Sequence, residues 1–517
     1  MRSVIAVCTA ALVCSAGPAV ADPHSLAERA DAAAASASAK LNARVSSAQA
    51  NAAIAFLVPL RISNPHIGST FGFDVVDAST GDPVYSRMAT TPLRPASNMK
   101  IVTAVNALRV LGPDTRMTTD TLVPEAGTVI LRGGGDTTLG VSALTRLAKR
   151  TAKYLRGNDL LPAAVQPPDY RPSNCTVDGR TRKSTPKNPC PLVTPAKVRP
   201  AVKVYVDDSL YDKPKRGPGW TGSYQPSVVR PVRPLGRIGV YQWDSAQEAG
   251  SVFAAALRSA GIKTRTAGHR DAPAGTTVAA QVSGQTVAAQ LRQMLLVSEN
   301  NIAEMLFRQV AVERGRKGTF KGARLAARDS LREMGLDTTG QKLLDGSGVS
   351  RDDRLTPRFL TDLLRAALDT DTHPQLATFV DSLPVGGRTG TLSASTARFT
   401  TSPSKCAAGQ VFAKTGTLFD TIGLSGYTRG ADGELKVFSA LVNDRPQRFS
   451  PLSTRQAVDG LVAAFADGSL VETPVLGAMI ADLRAALAPG DDGKVGAKSA
   501  EAARFILRAI SRELDSA

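Results

Sequence analysis

Hydrophobic positions along this 517-residue chain change period several times, and each change marks a predicted element. In KIVTAVNALRVL, Ile101, Ala104, Val105 and Leu108 recur at helical spacing directly after Pro95-Ala96-Ser97. The segments NIAEMLFRQVAVE and DSAQEAGSVFAAALRSAGI carry the same period. FGFDVVDAST reads as a strand. So does VFAKTGTLFDTIGLSGYT, and LKVFSALVN follows it after the turn signal Arg429-Gly430-Ala431-Asp432-Gly433, so the pair predicts a hairpin at a sheet edge. Residues 22–68 are Ala-rich, then polar, and predict a helical lead-in. Residues 22–115 are thus expected to hold that lead-in and the first part of one domain, with 286–468 completing it. Between them, 116–285 reads as a strand-rich insert that carries a Pro- and Arg/Lys-rich excursion at 157–201. The tail, 469–517, contains LGAMIADLRAALA and the amphipathic AEAARFILRAISREL, which could pack on the body, touch a membrane or mediate association.

Three short motifs fall on these elements in order: Ser97-Asn98-Met99-Lys100, Ser298-Glu299-Asn300 and Lys414-Thr415-Gly416-Thr417. Ser-x-x-Lys, Ser-x-Asn and Lys-Thr-Gly form the set used by serine enzymes that acylate on penicillin-like and D-Ala-D-Ala-like substrates. At i and i+3 of one helix, Ser97 and Lys100 share a face, so the amine can reach the hydroxyl it must activate. Taken alone, Ser97 also reads as a helix cap and Lys100 as a solvated side chain. Ser298, before its own helix, has the same second reading. Ser-x-x-Lys recurs at Ser184/Lys187 and Ser402/Lys405, but both lie in Pro-containing loop sequence. Arg388-Thr389-Gly390-Thr391 imitates Lys-Thr-Gly and reads as a loop. The joint order of the three motifs is what favours chemistry over caps.

With RPASNMKIVTA, LRGGGDTTLG, VYVDDSLYD followed by GPGW, LLDGSGVSRDDRLTP, LPVGGRTGTL and FAKTGTL, the chain resembles the D-alanyl-D-alanine carboxypeptidase/endopeptidase family, the class C low-molecular-mass penicillin-binding proteins or peptidase family S13. The resemblance runs from about residue 70 to about 445. It implies an α/β (α+β) fold: a serine β-lactamase/DD-peptidase-like catalytic domain, an antiparallel sheet flanked by helices, with a strand-rich domain inserted between Ser-x-x-Lys and Ser-x-Asn. It also implies roles. Ser97 attacks the penultimate D-Ala carbonyl, and neutral Lys100 accepts its proton. The backbone N–H groups of Ser97 and Thr417 hold the oxyanion. Ser298 relays a proton to the leaving amine, Asn300 orients Lys100 and the substrate amide, and Lys414, Thr415 and Thr417 recognise the terminal carboxylate. Gly416 allows close backbone approach. Two departures stand out. A third domain that relatives nest after PVRPLGRIG is missing here, and TGSYQPS after Trp220 lacks the Asp that relatives use to bind a diaminopimelate amine. Tyr224 is the residue left there to line that pocket.

Composition changes the setting more than the chemistry. Met1-Arg2, the apolar VIAVCTAALVCSA and the small residues Ala19-Val20-Ala21 predict a signal peptide at 1–21. Cys14 lacks the small preceding residue of a lipoprotein box. Export by the general secretory route to the periplasm, cell-wall space or medium follows, with no transmembrane anchor in the mature chain. Cleavage leaves Cys175, Cys190 and Cys406. In an exported chain Cys175 and Cys190 are expected to bridge, though free thiols are the other reading, and closing so short a loop contributes about 3 kcal/mol. The four histidines and the cysteines show no metal-ligand spacing, so neither metal nor cofactor is expected, and no Gly-x-Ser-x-Gly elbow supports a Ser-His-Asp hydrolase. A net charge of +18 would suggest nucleic acid inside a cell. Outside one, the partners become peptidoglycan stem peptides, β-lactams as covalent inhibitors, and anionic wall polymers or simply solvent on the basic face. Three functions fit: a DD-peptidase, a β-lactamase or D-amino-acid esterase on the same scaffold, and a non-enzymatic wall-binding protein.

Overall fold

Five antiparallel strands join sequence extremes in the first sheet of this computed structural model, which describes residues 47–466 apart from position 178. The expected leader at 1–21 and the tail at 469–517 lie outside the described residues. The strand order is β10 (Phe412–Leu418), β11 (Thr421–Arg429), β12 (Leu435–Val442), β1 (Phe71–Asp77) and β2 (Pro83–Arg87). Strand β1 pairs with β12 from Phe71↔Val442 to Asp77↔Lys436. Side chains alternate across the sheet as period 2 demands. Phe438, Ala440 and Val442 pack with Ile54, Val58, Leu461 and Val462, from the helices Ser47–Ile62 and Pro451–Ala463. Val437 and Leu441 face a second, larger helical core. Each such aromatic or branched side chain stabilises the fold by about 1.5–3 kcal/mol when fully buried.

The run 411–428, expected as one strand, is two. It folds back at Phe419-Asp420, where Phe419 is exposed and Asp420 accepts hydrogen bonds from Arg351 (2.9 and 2.7 Å) and Arg94 (3.1 Å). Those two guanidiniums pin the turn, a long-range pairing that local hydrophobicity does not reveal. The fold-back leaves β10, with its Lys-Thr-Gly, on the edge of the sheet.

At the centre of the larger core lies the helix Met99–Leu111, buried on nearly every side and terminated by Gly112 at φ 85°. The spacing predicts one apolar face. Instead the helices Val287–Val297, Asn300–Glu313, Phe320–Glu333 and Pro357–Leu368 join it in one core, and its polar side chains find internal partners. Thr103 donates to the Gly346 carbonyl (2.6 Å), for example.

A second, mixed sheet has the order β8 (Thr264–His269), β7 (Val202–Asp207), β4 (Thr128–Gly133), β3 (Arg116–Leu122) and β9 (Val278–Thr286). Its parallel pairs, β4–β7 and β7–β8, require crossovers, and the helices Val141–Gly157 and Ser245–Ser259 supply them. Leu144, Leu147, Leu155, Phe253 and Leu257 bury those helices against the sheet in a separate core. From the first helix the chain leaves as a two-legged arm. Its legs are bridged at Val165↔Val198 and Tyr170↔Val193, and it ends in the hairpin of β5 (Asn174–Val177) and β6 (Arg180–Lys183). A Cys175–Cys190 disulfide closes the end of the arm, and exposed Cys406 lies outside that bridge. Among the described residues no helix is long and apolar enough to cross a membrane.

Candidate active site

Ser97 sits in a 3-10 turn, Ala96–Asn98, just ahead of the helix Met99–Leu111, rather than capping it. Ala96 adopts φ 47°, a left-handed conformation that costs a non-glycine residue about 1–3 kcal/mol and is tolerated where surrounding structure enforces it. Gly348 helps enforce it: a Cβ there would stand 1.8 Å from the Ala96 carbonyl oxygen. The turn aims the Ser97 hydroxyl at Lys100, whose Nζ lies 3.0 Å from Oγ. The same amine donates to Asn300 Oδ1 and to the Ser347 carbonyl, both at 2.7 Å. Asn300 Nδ2 in turn donates to the Val228 carbonyl (2.9 Å), which fixes the plane of the amide.

Ser298 is likewise not a cap of the helix it precedes. It closes the previous helix, Val287–Val297, at φ 60° and ψ 39°. Glu299 does the capping, accepting from Ile302 N (2.6 Å) and held by Tyr241 and Asn301. The middle residue of Ser-x-Asn is therefore the structural one, and it frees Ser298 Oγ to accept from Lys414 Nζ (3.0 Å). Lys414 also donates to the Thr415 carbonyl (2.8 Å). Gly416 and Gly423 let the sheet reach the nucleophile turn. A Cβ on Gly416 would meet Pro95 O at 2.8 Å, and one on Gly423 would meet Asn98 Nδ2 at 2.1 Å.

Electrostatics follow from this burial. Lys100 is completely buried, and desolvation lowers its pKa to about 8, against the opposing charges of Asp345, Glu304 and Glu299. Burial, then the positive neighbours Lys100 and Arg398, drive Lys414 well below the ordinary lysine range. Beneath Lys100 the segment Leu343–Arg354 is organised by carboxylates. Asp345 accepts from Trp220 Nε1, Gly348 N and Ser350 N, all at 2.7 Å. Glu304 accepts from Ser347 N (2.8 Å) and Gly346 N, and desolvation followed by the charge of Asp345 raises its pKa to about 8. These groups set the position of the Ser347 carbonyl that Lys100 needs.

A cavity of about 320 Å³ opens over the pair, lined by Ser97, Ser298, Asn300, Thr415 and Thr417 together with Thr391, Thr396, Arg398 and Arg455. The last four were not expected here. Thr391 comes from the Arg-Thr-Gly-Thr loop and lies 2.8 Å from Thr415, hydroxyl to hydroxyl. That segment is indeed irregular, a 3-10 turn at Gly390–Leu392, but it is a wall of the cleft. Tyr224, expected in the substrate pocket, does not line this cavity. It lies in the turn Gly222–Tyr224, half-buried against the helical core and facing Arg351. The decoy Ser184 lies in the arm, where its hydroxyl accepts from Cys190 N, and Ser402 lies in an exposed loop. Among the described residues no His/Cys/Asp/Glu group could hold a metal ion.

Comparison with known proteins gives this geometry its relatives. Carboxypeptidase DacB of Mycolicibacterium smegmatis is 33% identical over 425 residues, covering 78% of this chain and 81% of the relative. A D-alanyl-D-alanine carboxypeptidase of Actinomadura sp. (strain R39) is 31% identical over 454 residues, with 77% and 82% covered. The crystal structure of penicillin-binding protein 4 from Haemophilus influenzae shares the fold at a TM-score of 0.61 and 17% identity, over 78% of this chain and 98% of that one. The family match covers residues 58–157 and 230–465 and steps over the arm. Motifs, fold and relatives agree: the chain belongs to the D-Ala-D-Ala carboxypeptidase 3 (S13) family.

Proposed function

We propose that this serine-type DD-peptidase cleaves D-Ala-D-Ala peptides of peptidoglycan through an acyl-enzyme on Ser97, with Lys100 as its base. The observation that carries the assignment is the set of neighbours around Lys100 Nζ. Two of the three are carbonyl oxygens, Asn300 Oδ1 and Ser347 O, which can only accept. A neutral amine has two hydrogens, and these two acceptors take both. Its lone pair is then left facing Ser97 Oγ, ready to take the hydroxyl proton as the oxygen attacks. The Ser97 and Thr417 backbone N–H groups receive the developing oxyanion. Ser298, held by Lys414, passes a proton to the departing amine, and water hydrolyses the ester. The hydroxyls of Thr415 and Thr417 face the carboxylate of the leaving D-Ala. An extended stem peptide lies along the open edge of β10.

Intact mass after exposure to benzylpenicillin tests the assignment. A lasting adduct of one drug on the wild type, absent from Ser97→Ala, is the expected result. Rapid consumption of drug with no lasting adduct would favour a β-lactamase, and neither adduct nor consumption would leave a binding protein.

We also infer export through the 1–21 leader, and an arm that holds anionic wall polymer. The arm carries Arg171, Arg180, Arg182, Lys183, Lys187, Lys197 and Arg199, and the two legs meet at Val165 and Val198, so it can be excised there with a short linker. Excision is expected to leave hydrolysis of a small D-Ala-D-Ala peptide within about two-fold while weakening sedimentation with teichoic-type polymer at low salt. Unchanged sedimentation would refute the role of the arm.

A further inference from the structure

We propose that Arg455 is a specificity-determining residue that pairs with the free carboxylate on the leaving group of the substrate. The inference rests on the reading of the Ser97 cleft given above and assigns the charge that the cleft would otherwise lack.

Four cations lie in or under the cavity: Lys100, Lys414, Arg398 and Arg455. Three of them have no charge to spare. Lys100 serves as base only when neutral. Lys414 is completely buried, with its amine turned to Ser298 and to the Thr415 carbonyl. Arg398 is buried in a two-bond ion pair, Nε to Asp459 Oδ2 at 2.7 Å and Nη2 to Oδ1 at 2.5 Å. Both carboxylate oxygens of Asp459 are thereby taken, and the pair is neutral.

Arg455 lies one turn before Asp459 on the helix Pro451–Ala463, so the two share a face, yet the carboxylate is already occupied. Among the described residues Arg455 makes no hydrogen bond or ion pair, and its Nε is buried without a partner. Burial and the charges of Arg398 and Arg445 lower its pKa, with Asp459 as the opposing influence. Arg445 offers no relief, since it is a second cation with donors only, and those go to the carbonyls of Phe419 and Phe449. A guanidinium left half-buried without an acceptor is costly, and the cost is recovered when an anion arrives. Among the described residues no carboxylate lines the cavity, whereas Thr415 and Thr417 do. Two hydroxyl donors beside one unpaired, planar guanidinium fit a carboxylate, which accepts from both kinds of donor.

The test compares a peptide ending in D-Ala-D-Ala with the same peptide as its C-terminal amide, on wild type, Arg455→Leu and Arg455→Gln. The readout is the ratio of kcat/KM for acid over amide. It is expected to fall roughly 10–100-fold in both variants, the worth of a hydrogen bond to a charged group, and to recover in part with Arg455→Lys. Gln keeps a polar side chain at the site should Leu not fold. A ratio unchanged in folded variants, with acid and amide losing equally or neither losing, overturns this inference alone, because the wild type still cleaves the acid. A wild type that cleaves neither peptide and takes no penicillin adduct overturns the reading of the cleft, and this inference with it.

Discussion

Ser97→Ala is expected to lower kcat/KM for a D-Ala-D-Ala peptide by on the order of 10⁴-fold or more, and Lys100→Met by a similar factor. Among the described residues the hydroxyl of Ser97 bonds only to Lys100, and alanine keeps the Cβ, so the first variant should unfold at nearly the wild-type temperature. Methionine fills the volume of the buried lysine stem but leaves Asn300 Oδ1 and the Ser347 carbonyl without a donor. Each such loss costs about 1–3 kcal/mol, so Lys100→Met should be measurably less stable. The decisive variant is the double one. Nucleophile and base that act on one proton are lost together, so removing both should cost no more than removing either. Additive losses in steady-state kinetics, near 10⁸-fold in sum or as far as the assay reaches, would mean that Lys100 works on some other step.

The catalytic sheet was anticipated in outline because alternation in FGFDVVDAST and LKVFSALVN is local information, and both strands exist as β1 and β12. The split between β10 and β11 was not, since Asp420 is held by Arg94 and Arg351, which are distant in sequence. In the sequence, Ser97 and Ser298 each stand at the start of a predicted helix. Both instead occupy turns with left-handed backbone at or beside them, at Ala96 and at Ser298 itself, which no propensity scale favours. The proximity of Ser97 to Lys100 follows from their i, i+3 spacing, whereas that of Ser298 to Lys414 is inferable only from the motif set. Thr391 gives no signal because Arg-Thr-Gly-Thr reads as a loop, yet a loop can line a cleft as well as a strand can. Arg398 and Arg455 carried no signal at all, and only the long-range ion pair with Asp459 distinguishes one from the other. The Cys175–Cys190 bridge is legible because the expected leader and the short spacing both favour it.

The pH dependence of acylation should expose the base directly. Lys100 accepts a proton, so only its neutral form is competent, and its pKa is lowered to about 8. For the free enzyme, kcat/KM should therefore rise with pH, with unit slope on a logarithmic plot below about 8 and a plateau above it. An ordinary lysine would place that limb more than two units higher and leave little competent enzyme at neutral pH. The sign of each neighbour can be tested in turn. The negative charge of Asp345 favours the ammonium form and is the largest of the influences that raise the pKa of Lys100. Because the same charge also holds Glu304 protonated, Asp345→Asn is read in a Glu304→Gln background, where neither charge remains and the limb should move to lower pH. The plateau should fall as well, because Asp345 accepts from Trp220, Gly348 and Ser350, and an amide cannot accept all three bonds as well. Two readouts separate the two effects: the midpoint reports the charge, and the height reports the geometry of the Ser97 turn that Gly348 supports. A lowered plateau with an unmoved midpoint would show that the limb belongs to a group other than Lys100, and the proton would then have to leave Ser97 by another route.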